Sequence, residues 1–552
     1  MSLLDTASLI VTPNGYKEGK LYSVIPSDGS GDLSVTRATT ATRVNSAGLV
    51  ELVPYNLFSY SQNLANVAWS TYAASGTITR TVNYAAAPDG TTTATRIQNS
   101  GGDPIQWTYQ NIALASNGII SMYVKRTGAT NQTFRFFSNN GATFSSNFTA
   151  TDTWQRFEFA VGSNSSALPF GITTDSSGTA ADILVWGAQL VEGSTAKDYQ
   201  KTETRLNIPR LDYSNGTCPS LLVEPQRTNL VTYSSSFDNS DWGKIGITAT
   251  ANNTTAPDGT MTADKIAFTN TNSYIYPTAV VFAITNNSFS YSVYAKADTQ
   301  STFNMLFGTP LGAWGANFDL TTQTATPFSG SGTSGKIESV GNGWFRCILT
   351  APIPVVVYAE AQIGYPGASG SLFFWGAQLE AGNYSTSYIP TTSASVTRNE
   401  ELISKTNAAS LIGQTEGTIF ADFVYNNSTA QGNPILVNFN SSPYTGEIYI
   451  QFLQSGGIQV EVYSGGSQQA YLYYGGATNG HHKLAFAYKA NDFILYVDGV
   501  QVATDTSGSV PACNIFALGY YTSGYTPTIN YNAAALWKTR LTNTQLAQLT
   551  TI

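Results

Sequence analysis

Cysteine, histidine and methionine are nearly missing from this chain of 552 residues, which holds three, two and four of each. Cys218, Cys347 and Cys513 are odd in number, far apart and without a CxxC spacing. They exclude a disulfide framework or zinc site and read as small buried residues. His481 and His482 are neighbours on a predicted strand and so face opposite sides, which leaves no Ser-His-Asp triad and no metal-His pair. Charge is scarce too. Asp, Glu, Lys and Arg make up 11%, under half the roughly 25% of an average soluble protein. No stretch gathers Lys and Arg, and the net charge is −8, so nucleic acid is not an expected partner. No apolar run approaches the ~18 residues of a membrane span. The opening MSLLDTASLIVTPNG has neither a basic region nor an apolar run, so neither a signal peptide nor membrane insertion is expected. Heptads and collagen triplets are also missing, and no oligomerisation device can be read.

What remains is apolar and uncharged polar. Hydrophobic residues reach 42%, aromatic residues 12%, and there are 49 glycines. Such a chain has ample core material and solubilises itself through hydroxyls and amides, so disorder is excluded. Its length exceeds what one core supports, and several domains follow.

An internal repeat organises most of it. WGAQL stands at Trp186 to Leu190 and again at Trp375 to Leu379. In the same order, NLFSYS (Asn56 to Ser61) matches NLVTYS (Asn229 to Ser234), followed by Trp69 or Trp242. Ala-Pro-Asp-Gly occurs at Ala87 to Gly90 and Ala256 to Gly259, SMYVK at Ser121 to Lys125 matches SVYAK at Ser292 to Lys296, and Trp154-Gln155-Arg156 matches Trp344-Phe345-Arg346. The chain therefore holds a domain of about 170 residues twice. Phe289, Tyr291, Val293 and Ala295 alternate with polar residues, the period of a half-buried strand. Pro-Asp-Gly is a turn in both copies. With little helical periodicity, each copy reads as an antiparallel jelly-roll sandwich, and the repeated tryptophans read as core on its last long strand.

From about Glu400 the pattern changes. Ile448, Ile450 and Phe452 alternate, a Ser-Gly-Gly turn follows, and Ile458, Val460 and Val462 alternate again, which is a hairpin. FILYVDGVQVA gives another around Asp498-Gly499. LTNTQLAQL is the helix signal, with a capping box between Thr542 and Gln545. A third β-sandwich of another kind is expected. Thr-Arg recurs before each domain, in Thr42-Arg43, Thr204-Arg205 and Thr397-Arg398, and suits either a docking strand or a flexible connector. The divisions are then 1–55, a separate element too short for its own core, 56–203, a linker or docking strand over 204–228, 229–396 and 397–552.

The stretch His481 to Tyr488, then Phe493 to Gly499, closed by Ala535-Leu536-Trp537 and LTNTQLAQL, resembles the concanavalin A-like (laminin G-like) lectin and glucanase superfamily. The duplicated domains resemble carbohydrate-binding-module jelly rolls. CPSLLVEPQRTNL (Cys218 to Leu230), GNGWFRC (Gly341 to Cys347) and WGAQLEAGNYSTSYIPT (Trp375 to Thr391) look like strings found in head and tail fibre proteins of tailed bacteriophages. The first copy keeps Glu51 where the second has Glu224 but lacks the Arg that follows. The resemblance implies an all-β chain, tandem jelly-roll β-sandwiches plus a C-terminal concanavalin A-like β-sandwich. It also implies a virion protein attached through residues 1–55 to other virion proteins, assembled in the host cytoplasm and released by lysis. Its partners would be host cell-surface glycans and further copies of itself, with a trimer favoured by the family.

An enzyme is not expected. A glycosidase needs two carboxylates about 5 to 9.5 Å apart, yet the ExDxE strand motif of the glucanase branch is absent and Glu447 and Glu461 stand alone. No parallel β-helix of a depolymerising spike can be read. No cofactor is expected; a structural calcium ion fits Asp and Asn in loops, but no motif names its ligands. If sugar binds, exposed rings stack on its C–H face. The candidates are the pairs Trp107 with Tyr109, Tyr274 with Tyr276, and Tyr471 with Tyr473, together with Tyr520, Tyr521 and Tyr525 in the loop-like YYTSGYTPT. Each pair is open to a second reading as core, since one face of every strand is buried.

Overall fold

In a computed structural model, the structure describes residues 3–114, 117–270, 272–278, 288–353, 360–365, 367, 369–425, 433–442, 445–453, 456–476, 478–519 and 528–552. The chain forms two compact units, Leu52–Arg205 and Met1–Glu51 with Leu206–Ile552. Both are β-structure, and among the described residues the one α-helix is Asn543–Thr550, capped by the Thr542–Gln545 box as its sequence predicts. No helix of the described residues is long and apolar enough to cross a membrane.

The unit Leu52–Arg205 is a sandwich of two antiparallel sheets. One runs in the order Gln155–Val161, Gly118–Arg126, Ala181–Glu192, Ala94–Asn99, Ile78–Ala85. The other runs Thr143–Phe144, Gln132–Ser138, Asn164–Thr174, Gln106–Leu114, Ser70–Ala73. Ile120, Met122, Val124 and Val185 of the first close on Phe134, Phe136, Phe170 and Ile172 of the second. Residues 229–396 of the other unit repeat this plan with two six-stranded sheets.

The repeated WGAQL is a working part of that plan. Trp186 and Trp375 are buried, and their indole N–H groups donate to Thr93 Oγ1 at 3.0 Å and Thr262 Oγ1 at 3.2 Å. Gly187 and Gly376 sit at φ 65° and 63°, where the pairing register slips by a β-bulge in both copies. Ala188 and Ala377 are core. Gln189 donates to the Lys197 carbonyl and accepts from Gln200 N–H, while Gln378 donates to the Ser387 carbonyl and accepts from Ile389 N–H. Each glutamine thus clamps the returning segment. Asn56 and Asn229 accept from the N–H of Leu190 and Leu379 and donate to the Ala188 and Ala377 carbonyls. The strand Ser288–Ala297 is not half-buried as its period suggests but buried on both faces. Its second face is covered because Tyr294 joins Trp344, Trp375 and Tyr388 in a further apolar layer.

The last sandwich is one long antiparallel path. From one end it runs Ser467–Tyr474, Ile458–Ser464, Gly446–Phe452, Ile435–Ser442, Ile515–Leu518, Leu402–Lys405, Leu33–Thr36, Lys20–Ile25, Leu9–Lys17, Ile529–Trp537, Glu416–Tyr425, Gly480–Lys489, Asp492–Val497 and Val500–Asp505. Residues 1–55, read from sequence as a separate element, thus supply three of its interior strands. Leu9, Val11, Leu21, Leu33 and Val35 enter its core, which solves the problem of a segment too short to bury itself. The segment 204–228 contributes Ser220–Val223, paired with Ile529–Trp537. Cys218 is exposed rather than buried, because it lies in the turn between Arg210–Asp212 and Ser220–Val223; Cys347 and Cys513 are buried.

Five charges are buried where these segments meet. Arg37 lies 2.9 Å from Glu401, Arg210 reaches Glu401 at 2.8 Å and Glu224 at 2.7 Å, and Arg398 lies 2.8 Å from Glu224. None of the five side chains is more than 3% exposed. Ser387 donates to Glu224 from its N–H and its hydroxyl, and Glu224 N–H donates to Glu401. Arg398, from one of the Thr-Arg elements, is therefore docked rather than part of a loose connector. Arg43, from another, pairs with Glu51 at 2.8 Å.

Candidate functional site

The strand Gln106–Leu114 alternates strictly enough to send Trp107 and Tyr109 to the face opposite the core. Pairing places Tyr72 beside Trp107 and Ser70 beside Tyr109. On the other side Tyr109 faces Gly171, and Gly171 faces Phe137. With no side chain at Gly171, Phe137 closes on Trp107, stacked at 4.4 Å. Tyr72 tilts against the indole at 5.5 Å, and Tyr109 meets it edge-on at 6.1 Å.

The four rings differ in access. Phe137 and Trp107 are buried, Tyr109 is half-buried and Tyr72 is 50% exposed. The turn at Gly141 lies against the indole, so close that a Cβ there would stand 2.8 Å from Trp107 Cζ2. Trp107 Nε1 is buried and has no hydrogen-bond partner among the described residues. An unanswered buried donor costs about 1–3 kcal/mol. Arg135, beside this group, lies 4.3 Å over the Phe144 ring and donates to the Thr174 and Pro104 carbonyls. The arrangement offers two partly open tyrosine rings, braced from below by Trp107 and Phe137, and a fixed cation. Elsewhere in the same unit, an open polar cavity of about 370 Å³ is lined by Thr79, Gln98, Asn99, Gln132 and Asp182. Arg96 holds Asp182 in a fork, and that hydrogen bonding lowers the Asp182 pKa.

The other sequence candidates lie apart. Tyr274 and Tyr276 are half-buried with ring centres 5.7 Å apart. Tyr276 lies flat over Gly243, where a Cβ would stand 2.3 Å from its ring. Burial, then Glu360, pushes the Tyr274 hydroxyl pKa up. Tyr471 and Tyr473 are 47% and 45% exposed on an end strand of the last sandwich. Tyr520, Tyr521 and Tyr525 lie outside the described residues. Sequence reasoning found Trp107 and Tyr109 but missed Tyr72, Phe137 and Arg135. Phe137 breaks its strand's alternation as the last of FRFF, and only the pairing register shows that it shares a face with Trp107.

His481 and His482 pair separately, with Asp422 and Asp498, each at 2.7 Å. Among the described residues no group of three or more His, Cys, Asp or Glu side chains is placed to hold a metal ion.

No protein-family model matches the chain. No curated protein matches it either. Solved structures similar to parts of it include the CBM40 module of a Ruminococcus gnavus sialidase bound to α2,3-sialyllactose, at 15% identity, covering 26% of this chain and 87% of that one, with a TM-score of 0.23. A tandem pair of CBM22 domains from Paenibacillus barcinonensis is similar at 11% identity over 62% of this chain and 99% of that one, with a TM-score of 0.21. Domains LG4-5 of the mouse laminin α1 chain are similar at 13% identity over 48% and 87%, with a TM-score of 0.18.

Proposed function

We propose that this chain is a glycan-binding protein of a bacteriophage particle, a head or tail fibre or related appendage that presents its sandwiches to host-surface sugars. The observation that carries glycan binding is the aromatic face of the unit Leu52–Arg205, where Tyr72 is 50% exposed and Tyr109 half-buried on the side of the sheet turned from the core. A sugar laid on those two rings covers apolar surface with its C–H face. The virion setting rests on the resemblance of Cys218 to Leu230 and Trp375 to Thr391 to fibre proteins. Binding without catalysis is the reading for the whole chain. Single sites of this kind bind near the millimolar range, about −4 kcal/mol, and several modules per chain and several copies raise the avidity by ~10² to 10⁴.

The packing of Phe137 on Trp107 favours a second reading, a structural decoration or adaptor protein of the particle in which these rings only brace a sheet. Binding of the purified chain to bacterial surface polysaccharides, beside a Tyr72→Ala/Tyr109→Ala variant, separates the two. Selective binding that the folded variant loses supports the first. Absence of binding by a multivalent form supports the second.

A further inference from the structure

The two repeats share one pairing plan, so each outward position of one has a counterpart in the other. Trp69 corresponds to Trp242, which sets Tyr72 and Trp107 of the first copy against Ile245 and Tyr274 of the second, and Tyr109 against Tyr276. Carried on through the neighbouring strands, the same register sets Phe137 against Leu306 and Arg135 against Asn304. The first copy therefore has a cation where the second has an amide.

In the second copy Ile275, Ile363, Met305 and Ala316 enter the core, and the residues that alternate with them face away in rows. Ile245 lies beside Tyr274, then Gly364, Asn304 and Asn317. Gly243 lies beside Tyr276, and Gln362 beside Leu306, then Gly315. The glycines let neighbouring side chains lie down on the sheet. A Cβ would stand 2.3 Å from the Tyr276 ring at Gly243, 2.6 Å from Asn304 Oδ1 at Gly364 and 2.5 Å from the Phe328 ring at Gly315. The result is a low strip running about 19 Å across five strands. It is open along its length: Ile245 is 46% and Phe328 47% exposed, Asn317 is exposed, and Tyr274, Tyr276, Leu306 and Gln362 are half-buried.

Positive charge is missing from this strip. Between Lys296 and Lys336, and again between Arg346 and Arg398, the chain holds no Lys, Arg or His. Lys244 lies beside Ile275, on the other face, and its ammonium donates to the carbonyls of Asp238, Asn239 and Trp242. An acidic sugar laid on the strip would give up water with no cation to replace it. Side-chain amides, which donate and accept at once, match hydroxyls instead, and the rings match a C–H face.

We propose that this strip is a saccharide site of its own, taking a run of uncharged sugars in an extended glycan, with C–H faces on Tyr274 and Tyr276 and hydroxyls on Gln362 and Asn317. The proposal rests on the glycan-binding reading above. With Asn304 where the other repeat has Arg135, the duplicated domains are readers of different sugars rather than two copies of one site.

The test is an array of uncharged oligosaccharides and of acidic ones bearing uronate, sialate or sulfate, probed with the full chain and with Tyr274→Ala/Tyr276→Ala, Gln362→Ala, Asn317→Lys and Tyr72→Ala/Tyr109→Ala variants, each checked by thermal unfolding. The expected result is a set of uncharged ligands whose binding falls about tenfold on loss of Tyr274 and Tyr276, weakens with Gln362→Ala and persists without Tyr72 and Tyr109. Asn317→Lys, at an exposed position, should add acidic ligands to that set. Should the tyrosine variant fail to fold, the milder changes at Gln362 and Asn317 decide. Acidic ligands lost with Tyr274 and Tyr276, uncharged ligands indifferent to every change in this repeat, or self-association of the chain that these changes abolish, would overturn this site and leave the first. Failure of the chain to bind any sugar overturns both.

Discussion

Arg210 donates from Nη2 to Glu401 Oε2 at 2.8 Å across 191 residues of chain, and from Nη1 to Glu224 Oε2 at 2.7 Å. Holding two carboxylates from separate nitrogens of one planar guanidinium is a geometry lysine cannot reproduce. Glu401 also takes Arg37. Removing one partner therefore strands buried charge. Glu401→Gln is expected to cost about 3–5 kcal/mol, and Arg210→Lys to be destabilising despite its retained charge. Denaturant unfolding of each variant measures this; a loss below about 1 kcal/mol would mean that the remaining partners compensate.

Acid should unlock the same cluster. Burial alone would raise the Glu224 pKa, but Arg398 and Arg210 overcome it and hold the carboxyl at about 2, against an ordinary 4.5. A lowered folded-state pKa contributes stability that is complete above pH 4.5 and is lost as pH falls toward 2, on the order of 3 kcal/mol. Unfolding midpoints followed from pH 6 to 2 should fall through that window, and Glu224→Gln should flatten the fall.

The two bulge glycines are expected to differ. Gly376 and Gly187 share a left-handed φ, which costs an L-residue roughly 1–2 kcal/mol. A Cβ at Gly376 would also stand 2.9 Å from Tyr294 Cδ2, whereas at Gly187 the nearest atom is at 3.3 Å. Gly376→Ala should therefore lower the melting temperature of its unit more than Gly187→Ala lowers that of the other. Equal effects would assign the whole cost to backbone strain.

Deleting residues 1–36 should prevent the last sandwich from forming. It removes the strands between Leu402–Lys405 and Ile529–Trp537 and five core side chains, each worth about 1.5–3 kcal/mol of burial. Limited proteolysis should find residues 402–537 cleaved while the unit Leu52–Arg205 resists. Resistance in both would show that the sandwich closes without its first three strands.

The duplicated plan was legible in the sequence because its signals are local. Trp186, Gly187 and Gln189 each act on groups close in chain or sheet, and Thr542 caps its helix through Gln545, three residues on. Long-range partnership left no such mark. Nothing near Leu9 announces that it pairs with Leu536, and Glu447 and Glu461 become neighbours only when the register of two strands is known. Trp107 and Tyr109 could be named from their spacing, but spacing does not tell a covered ring from an open one. Neighbours from three other strands decide that.

The placement of Leu33–Thr36 against Leu402–Lys405 sets an order of events during synthesis. Ribosomes add about 5–20 residues per second, so these early strands leave the ribosome on the order of half a minute to two minutes before Ile529–Trp537 exists to flank them. The three strands can pair with one another in the meantime, but throughout that interval the outer edge of Leu9–Lys17 lacks its partner Ile529–Trp537. The nascent chain must carry an open sheet edge past two folding jelly rolls, which makes chaperone dependence and pairing between adjacent nascent copies the characteristic hazards of its biosynthesis.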